Sequence, residues 1–385
     1  MELYIHIPFC RQKCTYCSFI SFPATPLQKD EYIELLLQEI EIRKTEFSEP
    51  VSTIYIGGGT PSLLSSSQLS HLICGLKKTV SLADCNEFSI EANPGTVTES
   101  FLETAACLGI NRISFGMQAK QTRILKLLGR IHTFEDVAES VRAAQKNNLE
   151  NINLDLIFGV PGQTMSDWND TLNAALSLYP KHISAYGLIP EEGTPLYENL
   201  KAGKYALPDP ELERDMYDLA IRKLKDKGFR QYEISNFSLD GYACKHNIGY
   251  WTQVPYVGLG LSAASMLIVK KGKSGLNCLR RNNPESLHAY RETVLSGDNR
   301  NVSFEQIMPS DSRFETMMLS LRMNQGINEQ RFLDLHGISL QSCFGVKLHE
   351  MKESGLMDEC CGSWFLTRKG MDIQNRILLE FMDDP

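Results

Sequence analysis

Through the first half of the chain, short β-branched and aromatic runs alternate with longer segments whose apolar positions recur at helical spacing. This is the pattern of repeated βα units feeding a parallel sheet. The strand-like runs fall at 3–7, 53–56, 87–91, 112–115, 153–158 and 182–187. Between them the spacing predicts helices at about 28–46, 66–79, 98–107, 134–147 and 166–178, the first carrying Ile33, Leu36, Leu37, Ile40 and Ile42. Six units fall short of the eight that close a full barrel, so the pattern predicts an α/β fold built on a partial (β/α)6 barrel, open on one side.

The second half reads differently. Another amphipathic helix falls within 200–230 (Met216, Leu219, Ala220, Leu224), and 231–300 mix short strands with glycine-rich turns. Three helices are expected over 311–352 and a short hairpin over 356–366. The expected organisation is a barrel unit over 1–230, a mixed α/β extension over 231–307, and a mainly helical, winged-helix-like C-terminal domain over 308–385. A winged helix raises the question of DNA. Residues 308–385 carry 8 Lys and Arg against 12 Asp and Glu, a net of −4, which lacks the basic footprint of a duplex binder. Partner docking or a structural use is the better reading.

The whole chain repeats that balance, with 39 Lys and Arg against 47 Asp and Glu, a net of −8, so no nucleic-acid partner is expected. Apolar residues at 42% and charged residues at 22% are ordinary for a folded globular protein. The most apolar stretch, 256–269, is interrupted by Gly258, Gly260, Ser262 and Ser265, so no segment is expected to span a bilayer and no membrane contact is visibly encoded. The opening MELYIHIPF has no basic leader or cleavage site, and the cytoplasm is the expected location.

Eleven cysteines in such a chain need a reason, and an odd count fits metal binding or buried thiols better than a disulfide framework. Cys10, Cys14 and Cys17 stand in CxxxCxxC spacing directly after the first strand. Three soft thiolates on one loop select zinc, copper(I) or an iron–sulfur cluster. Zinc or buried thiols are the plain alternative. A structural zinc takes four closed ligands, and the nearest further candidate, His6, sits inside the strand pattern. Three cysteines without an evident fourth suit a 4Fe–4S cluster with one iron open to an exchangeable ligand.

Other unusual polar residues fall at the C-terminal ends of the expected strands, where barrel active sites form. Strand two ends in GGGTPS (Gly57 to Ser62), where adjacent glycines leave bare backbone for a ligand to meet. Strand three ends in Glu91, strand four runs into Gly116 and Gln118, strand five carries Asp155 ahead of Gly159, and strand six leads to Tyr186. Taken singly, such a carboxylate is more often a solvated loop charge. Together, the acids and Gln118 can accept from ribose hydroxyls and an ammonium, and Arg130 can pair with a carboxylate. No phosphate-binding P-loop or Ser/His/Asp order is present, and hydrolase and kinase readings fall away.

The cysteine spacing at the end of a first barrel strand resembles the radical S-adenosylmethionine (SAM) superfamily. LYIHIPFCRQKCTYC, YIGGGTPS, SIEANPG, ISFGMQ, LGRIH, NLDLIFGVPGQT, YEISNFS, HNIGYW, YVGLGLSAAS and LRMNQGI are, in order and over nearly the whole length, similar to the family of oxygen-independent coproporphyrinogen III oxidase and the heme chaperone HemW. The resemblance implies that Cys10, Cys14 and Cys17 hold the cluster. It places SAM contacts at Tyr4, Tyr16, Gly58, Gly59, Thr60, Glu91, Gln118, Arg130 and Asp155. The oxidase motif extends to CxxxCxxCxC, whereas Phe19 stands here at the last position. The oxidase also resembles this chain with an added N-terminal segment, while the first strand here begins at residue 3. Both features, with HNxxYW at His246, Asn247, Tyr250 and Trp251, are similar to the HemW branch.

The resemblance therefore implies a heme chaperone with a 4Fe–4S cluster, SAM and heme, delivering heme as cargo to an acceptor such as a respiratory heme protein. Decarboxylation of coproporphyrinogen III is the enzymatic alternative, and a zinc or redox regulator with a DNA-binding tail is a third reading. A neutral imidazole at His246 is a competent axial ligand for heme iron, and Tyr250 and Trp251 offer flat faces for a porphyrin. A histidine beside aromatics is equally a hydrogen-bonded packing residue. Cys244 is a second candidate for iron, although single cysteines such as Cys74, Cys85, Cys107, Cys278, Cys343, Cys360 and Cys361 are commonly buried hydrophobes.

Overall fold

The computed structural model describes residues 1–47, 49–272 and 275–382. Six strands, β1 (Glu2–Ile7), β2 (Thr53–Gly58), β3 (Glu87–Ala92), β4 (Arg112–Gln118), β5 (Asn151–Phe158) and β6 (His182–Gly187), run parallel in chain order. They alternate with helices α1 (Pro26–Ile42), α2 (Ser66–Thr79), α3 (Glu99–Cys107), α4 (Thr122–Leu127), α5 (Phe134–Lys146) and α6 (Met165–Leu176). Each long helix starts where a Ser or Thr side chain takes an otherwise unpaired backbone N–H. Thr25, Ser65, Thr133 and Thr164 do so in reciprocal pairs with Gln28, Gln68, Asp136 and Asp167. The first helix ends short of the expected residue 46. There the buried Arg43 guanidinium turns onto Glu39, Glu46 and the Gly258 carbonyl, and the chain tightens into a 3-10 turn.

The strands read as β-rich runs, but their alternation carries more. Leu3, Ile5, Ile54, Ile56, Phe88, Ile90, Ile113, Phe115, Leu154, Leu156 and Ile183 join the helices in one apolar core. The intervening positions are polar and bond across strands: Tyr55 to Glu91, Asn153 to Ser114, Ser114 to Asp155, and His182 to Asn153. Parallel strands covered on both faces are ordinarily apolar throughout. Here one face is a polar lumen.

The sheet stays open. Beyond β6 lie helices α7 (Pro195–Lys201) and α8 (Pro210–Asp226), then short β7 (Arg230–Gln231) and β8 (Asn236–Ser238), the latter antiparallel to β6. After α9 (Lys245–Trp251), β9 (Tyr256–Leu259) returns to pair parallel with β1, and β10 (Ala264–Gly272), β11 (Gly275–Asn282) and β12 (Ser303–Ile307) extend that edge antiparallel. The order is β12-β11-β10-β9-β1-β2-β3-β4-β5-β6-β8-β7. Residues 231–307 thus widen the barrel sheet on both sides, with α10 (Leu287–Ser296) packed on α1.

A second core lies in the C-terminal segment, where Met317, Leu321, Phe332, Phe344, Leu348, Trp364 and Phe381 pack together. It joins helices α11 (Pro309–Ser320), α12 (Glu329–His336) and α13 (Leu340–Glu353) to a sheet of order β13-β15-β14, formed by β13 (Ile327–Asn328), β14 (Met357–Cys360) and β15 (Ser363–Leu366). This is the helical, winged arrangement expected. It docks on the flank of the sheet through Thr316 to Gln253, Arg280 to Glu315 and Arg322 over the Trp251 ring. No helix among the described residues is long and apolar enough to cross a membrane.

Candidate site for a cluster and a nucleoside at the barrel mouth

At the C-terminal ends of β1 to β6 lies a cavity of about 690 Å³. Cys10, Cys14, Tyr16, Cys17, Gly58, Gly59, Thr60, Glu91, Gln118, Arg130 and Asp155 all open onto it. Among the described residues none beyond Glu191 lines it, so the described part of the C-terminal domain stands beside this mouth and does not line it.

The cysteine loop is pinned at both ends and in the middle. Cys10 N–H donates to the Phe22 carbonyl at 3.0 Å and Phe22 N–H to that of Pro8 at 2.9 Å. Thr15 N–H and Oγ1 donate to the carbonyls of Leu128 and Leu127 at 3.1 and 2.8 Å, while its own carbonyl accepts from Leu196 N–H at 2.8 Å. A loop held at three points keeps its three half-buried cysteines on the wall of one cavity.

The donor set fits a cluster. The Arg130 guanidinium donates to Cys14 Sγ at 3.4 Å and fixes that side chain at the cavity wall. Burial pushes the Cys17 thiol up, with the neighbouring Cys14 and Cys10 adding to it, which disfavours an uncoordinated anion there. Metal binding removes that proton. Among the described residues no three His, Cys, Asp or Glu side chains converge as ligands of a single ion do. Cysteines of a cubane each take a different iron and stand apart.

The opposite wall is charged and half-ordered. Tyr55 OH and Gly58 N–H donate to the two oxygens of Glu91 at 2.9 and 3.0 Å. Burial, with the charge of Asp155 behind it, raises the Glu91 carboxyl to about 7, and what exposure it has is toward the cavity. Asp155 accepts from Ser114 and Asn153, both at 2.8 Å. Burial works against the charge on Arg130, but Tyr16, Cys14 and Asp155 hold it charged, and the Gly116 carbonyl (2.7 Å) and Asn93 (3.0 Å) fix its position. Gln118 follows a register shift in β4 and adopts φ 61°, a conformation uncommon outside glycine and frequent at binding sites.

The glycines serve the scaffold first. A Cβ on Gly58, whose φ is +111°, would stand 2.5 Å from the His6 ring, and one on Gly59 would stand 2.7 Å from the Phe9 carbonyl. They let the end of β2 press against the start of the cysteine loop, and bare backbone facing the cavity follows from that. Tyr55, Asn93, Ser114 and His132 also line the cavity and were not singled out from sequence. Asn93, which donates to Thr60 at 2.7 Å and accepts from Arg130, lay within the quoted SIEANPG run. Tyr55 was detectable from the alternation of β2.

Tyr4 is placed elsewhere. Its hydroxyl bonds His6 Nδ1 at 2.9 Å, its ring stacks on Tyr55, and it faces a second cavity of about 630 Å³. That cavity is also lined by Phe19, Tyr250, Trp251, Tyr256, Met266 and Arg280, and Ser18 and Phe19 border both spaces. His246 and Asn247 border neither. His246 is 1% exposed, with Nδ1 on Thr53 Oγ1 at 2.8 Å and Nε2 on the Tyr250 hydroxyl at 3.0 Å. Burial, with Arg112 nearby, lowers its pKa to about 3, so the ring is neutral with both nitrogens engaged. Glu87 caps the start of α9, accepting from the N–H groups of Lys245 and His246 at 2.9 and 3.1 Å. Cys244 is fully buried there, and burial lifts its thiol to about 12, which makes it an inert packing group.

Residues 4–175 match the model of the Radical SAM superfamily, and 307–373 match the HemN C-terminal domain. The chain is 34% identical over 383 residues to heme chaperone HemW of Bacillus subtilis, covering 99% of both chains. It is 38% identical over 332 residues to heme chaperone HemW of Synechocystis, covering 84% of this chain and 78% of that one. Radical S-adenosyl methionine domain-containing protein 1, mitochondrial, of Danio rerio is 32% identical over 349 residues, covering 89% and 78%. Among solved structures, coproporphyrinogen III oxidase (HemN) from Escherichia coli superposes with a TM-score of 0.83 at 24% identity over 99% of this chain and 90% of that one, which shows a shared fold. Radical SAM proteins carry a 4Fe–4S cluster and SAM, and Cys10, Cys14 and Cys17 fit that set. Motifs, sheet order and full-length identity agree, and the chain belongs to the HemW family of the radical SAM superfamily.

Proposed function

We propose that this protein is a cytoplasmic heme chaperone that holds a 4Fe–4S cluster and SAM at the barrel mouth and passes heme to an acceptor protein, such as a respiratory one. The observation that carries the cofactor half is the opening of all three clustered cysteines onto the same cavity as Glu91, Arg130 and Asp155. The cargo half is supported by the relatives named heme chaperone, one of them aligned end to end with this chain. We take 1–230 as the cofactor unit, 231–307 as its flank carrying HNxxYW, and 308–385 as the unit available for acceptor docking.

When bound, the cluster supplies one electron for cleavage of the SAM sulfonium. The chain's own residues bind and orient. Cys10, Cys14 and Cys17 would hold the cluster, beside which the amino acid end of SAM would bind. Gly58, Gly59 and Thr60 offer backbone and a hydroxyl to that end, and Arg130 faces its carboxylate. Glu91, Gln118 and Asp155 accept from the ribose hydroxyls, Tyr16 closes the side of the cavity, and Tyr4 acts from behind Tyr55. Tyr250 and Trp251 face the heme, with His246 and Asn247 behind them.

Hemin titration of anaerobically reconstituted protein tests this reading. A saturable spectral shift followed by transfer to an apo-heme protein is expected, and the spectrum of free hemin throughout would overturn it. In a parallel incubation with coproporphyrinogen III, SAM and a reductant, no protoporphyrinogen IX is expected. Formation of that product would establish the oxidase instead.

A further inference from the structure

We infer that the second cavity, between the cysteine loop, α9, β10 and α11, is the seat of the tetrapyrrole, and that heme rests there beside the cluster instead of on His246. The inference rests on the proposal that heme is the cargo, and it goes beyond that proposal by placing the ligand. Four observations carry it.

The size is right for a cofactor of this class, since about 630 Å³ falls within the range typical of small-molecule sites. The walls suit a flat apolar macrocycle. Tyr4, Phe19, Tyr250, Trp251 and Tyr256 supply aromatic surface, and Phe19 is 65% exposed. One polar group suits a ligand bearing carboxylates at an edge: Arg280 lies in the lining, bridged to Glu305 and Glu315, with Glu285 also on that wall. A donor to iron is present as well: the Met266 thioether faces this space, whereas the His6 ring in the same lining has Nδ1 engaged by the Tyr4 hydroxyl at 2.9 Å and Nε2 by the Ile20 carbonyl at 3.3 Å.

The first cavity is taken by the cluster and the nucleoside, whose hydroxyls Glu91 and Asp155 in its wall suit. Because Ser18 and Phe19 border both spaces, one short stretch of the cysteine loop separates the proposed seat from the cluster. His246 acquires a different role. It bonds the Tyr250 hydroxyl and packs behind one wall of the seat without facing it.

The test fills the cavity from two sides, with Ala264→Trp on β10 and Leu319→Trp on α11, in reconstituted full-length protein. Each filled variant that keeps wild-type cluster iron is expected to bind hemin at least about tenfold more weakly, a factor equivalent to about 1.4 kcal/mol. Hydrogen exchange on the wild type needs no variant: hemin is expected to slow exchange at 18–20, 250–256 and 264–268. If the wild type binds hemin, while the filled variants bind equally well or protection is confined to the first cavity, the seat is overturned and the chaperone reading stands. Should the wild type show no saturable hemin binding at all, the chaperone reading falls and takes the seat with it.

Discussion

The barrel mouth and helix α9 are both dense in cysteine, histidine and aromatic residues, yet the fold treats them in opposite ways. At the mouth, side chains keep capacity to spare. Cys14 has one long contact from Arg130, Cys10 one from Thr60, and Asp155 and Glu91 each face open space. In α9, capacity is used up: both nitrogens of His246 are engaged, the helix start is capped by Glu87, and Cys244 is sealed in. Buried polar groups ordinarily find partners. Polarity in a motif therefore does not distinguish a ligand site from a packed network, whereas unspent bonding capacity facing a cavity does.

The sharpest way to break this comparison is at the mouth. Replacing Cys14 by Ser removes a soft ligand that no other cysteine near the loop replaces, and the brown chromophore, most of the iron and SAM binding are expected to be lost together. Iron analysis and absorbance after anaerobic reconstitution check it, and full iron retention would remove the loop from the cluster. A smaller effect is expected from Gly116→Ala. A Cβ there would stand 2.2 Å from the Arg130 guanidinium, so the arginine leaves the Gly116 carbonyl and Asn93 while the strand stays in place. Losing a hydrogen bond to a charged group costs about 1.5–3 kcal/mol, so SAM affinity measured by calorimetry should fall about 10- to 100-fold with cluster iron unchanged.

What could be read from the chain divides along the same line. Strand and helix positions were legible because β-branched runs and helical spacing are local. So were Cys10, Cys14 and Cys17, whose chemistry follows from a spacing of a few residues. The polar lumen is written in the alternation of Thr53 and Tyr55 or Asn153 and Asp155, but a parallel strand is expected to be apolar on both faces, so the alternation alone does not report it. The pairing of β9 with β1 and the partnership of His246 with Thr53, 193 residues apart, depend on tertiary closure that no local pattern reports.

Glu91 sharpens the comparison through pH. Its carboxyl is raised to about 7 from an ordinary 4.5, chiefly by burial. The folded protein holds a proton between those values that the unfolded chain releases, so this group's contribution to stability is full below about 4.5 and lost as pH rises through 7. Ligand binding runs the other way, because the ionised carboxylate is the better acceptor for ribose hydroxyls. SAM affinity is expected to increase several-fold from pH 6 to pH 8, about the change expected as a group with a pKa near 7 ionises. Glu91→Gln should flatten that rise, and an unchanged profile in the variant would place the titrating group elsewhere.

The smallest effect on ligands is expected where the motif looks richest. His246→Ala takes one partner from Thr53, leaves the Tyr250 hydroxyl without its partner and opens a void, costing about 2–4 kcal/mol of stability, visible as a lower Tm. Because His246 faces neither cavity, the variant protein that remains folded should bind hemin within about threefold of wild type, less than the factor of ten that a lost axial donor would produce. His246→Gln can still reach one of the two hydroxyls and should recover much of the lost Tm. The pair discriminates between roles: a ligand to iron is replaced by neither alanine nor glutamine, and the heme spectrum changes in both. A packing residue instead shows its loss in the melting curve, with the spectrum of bound heme the same in all three proteins.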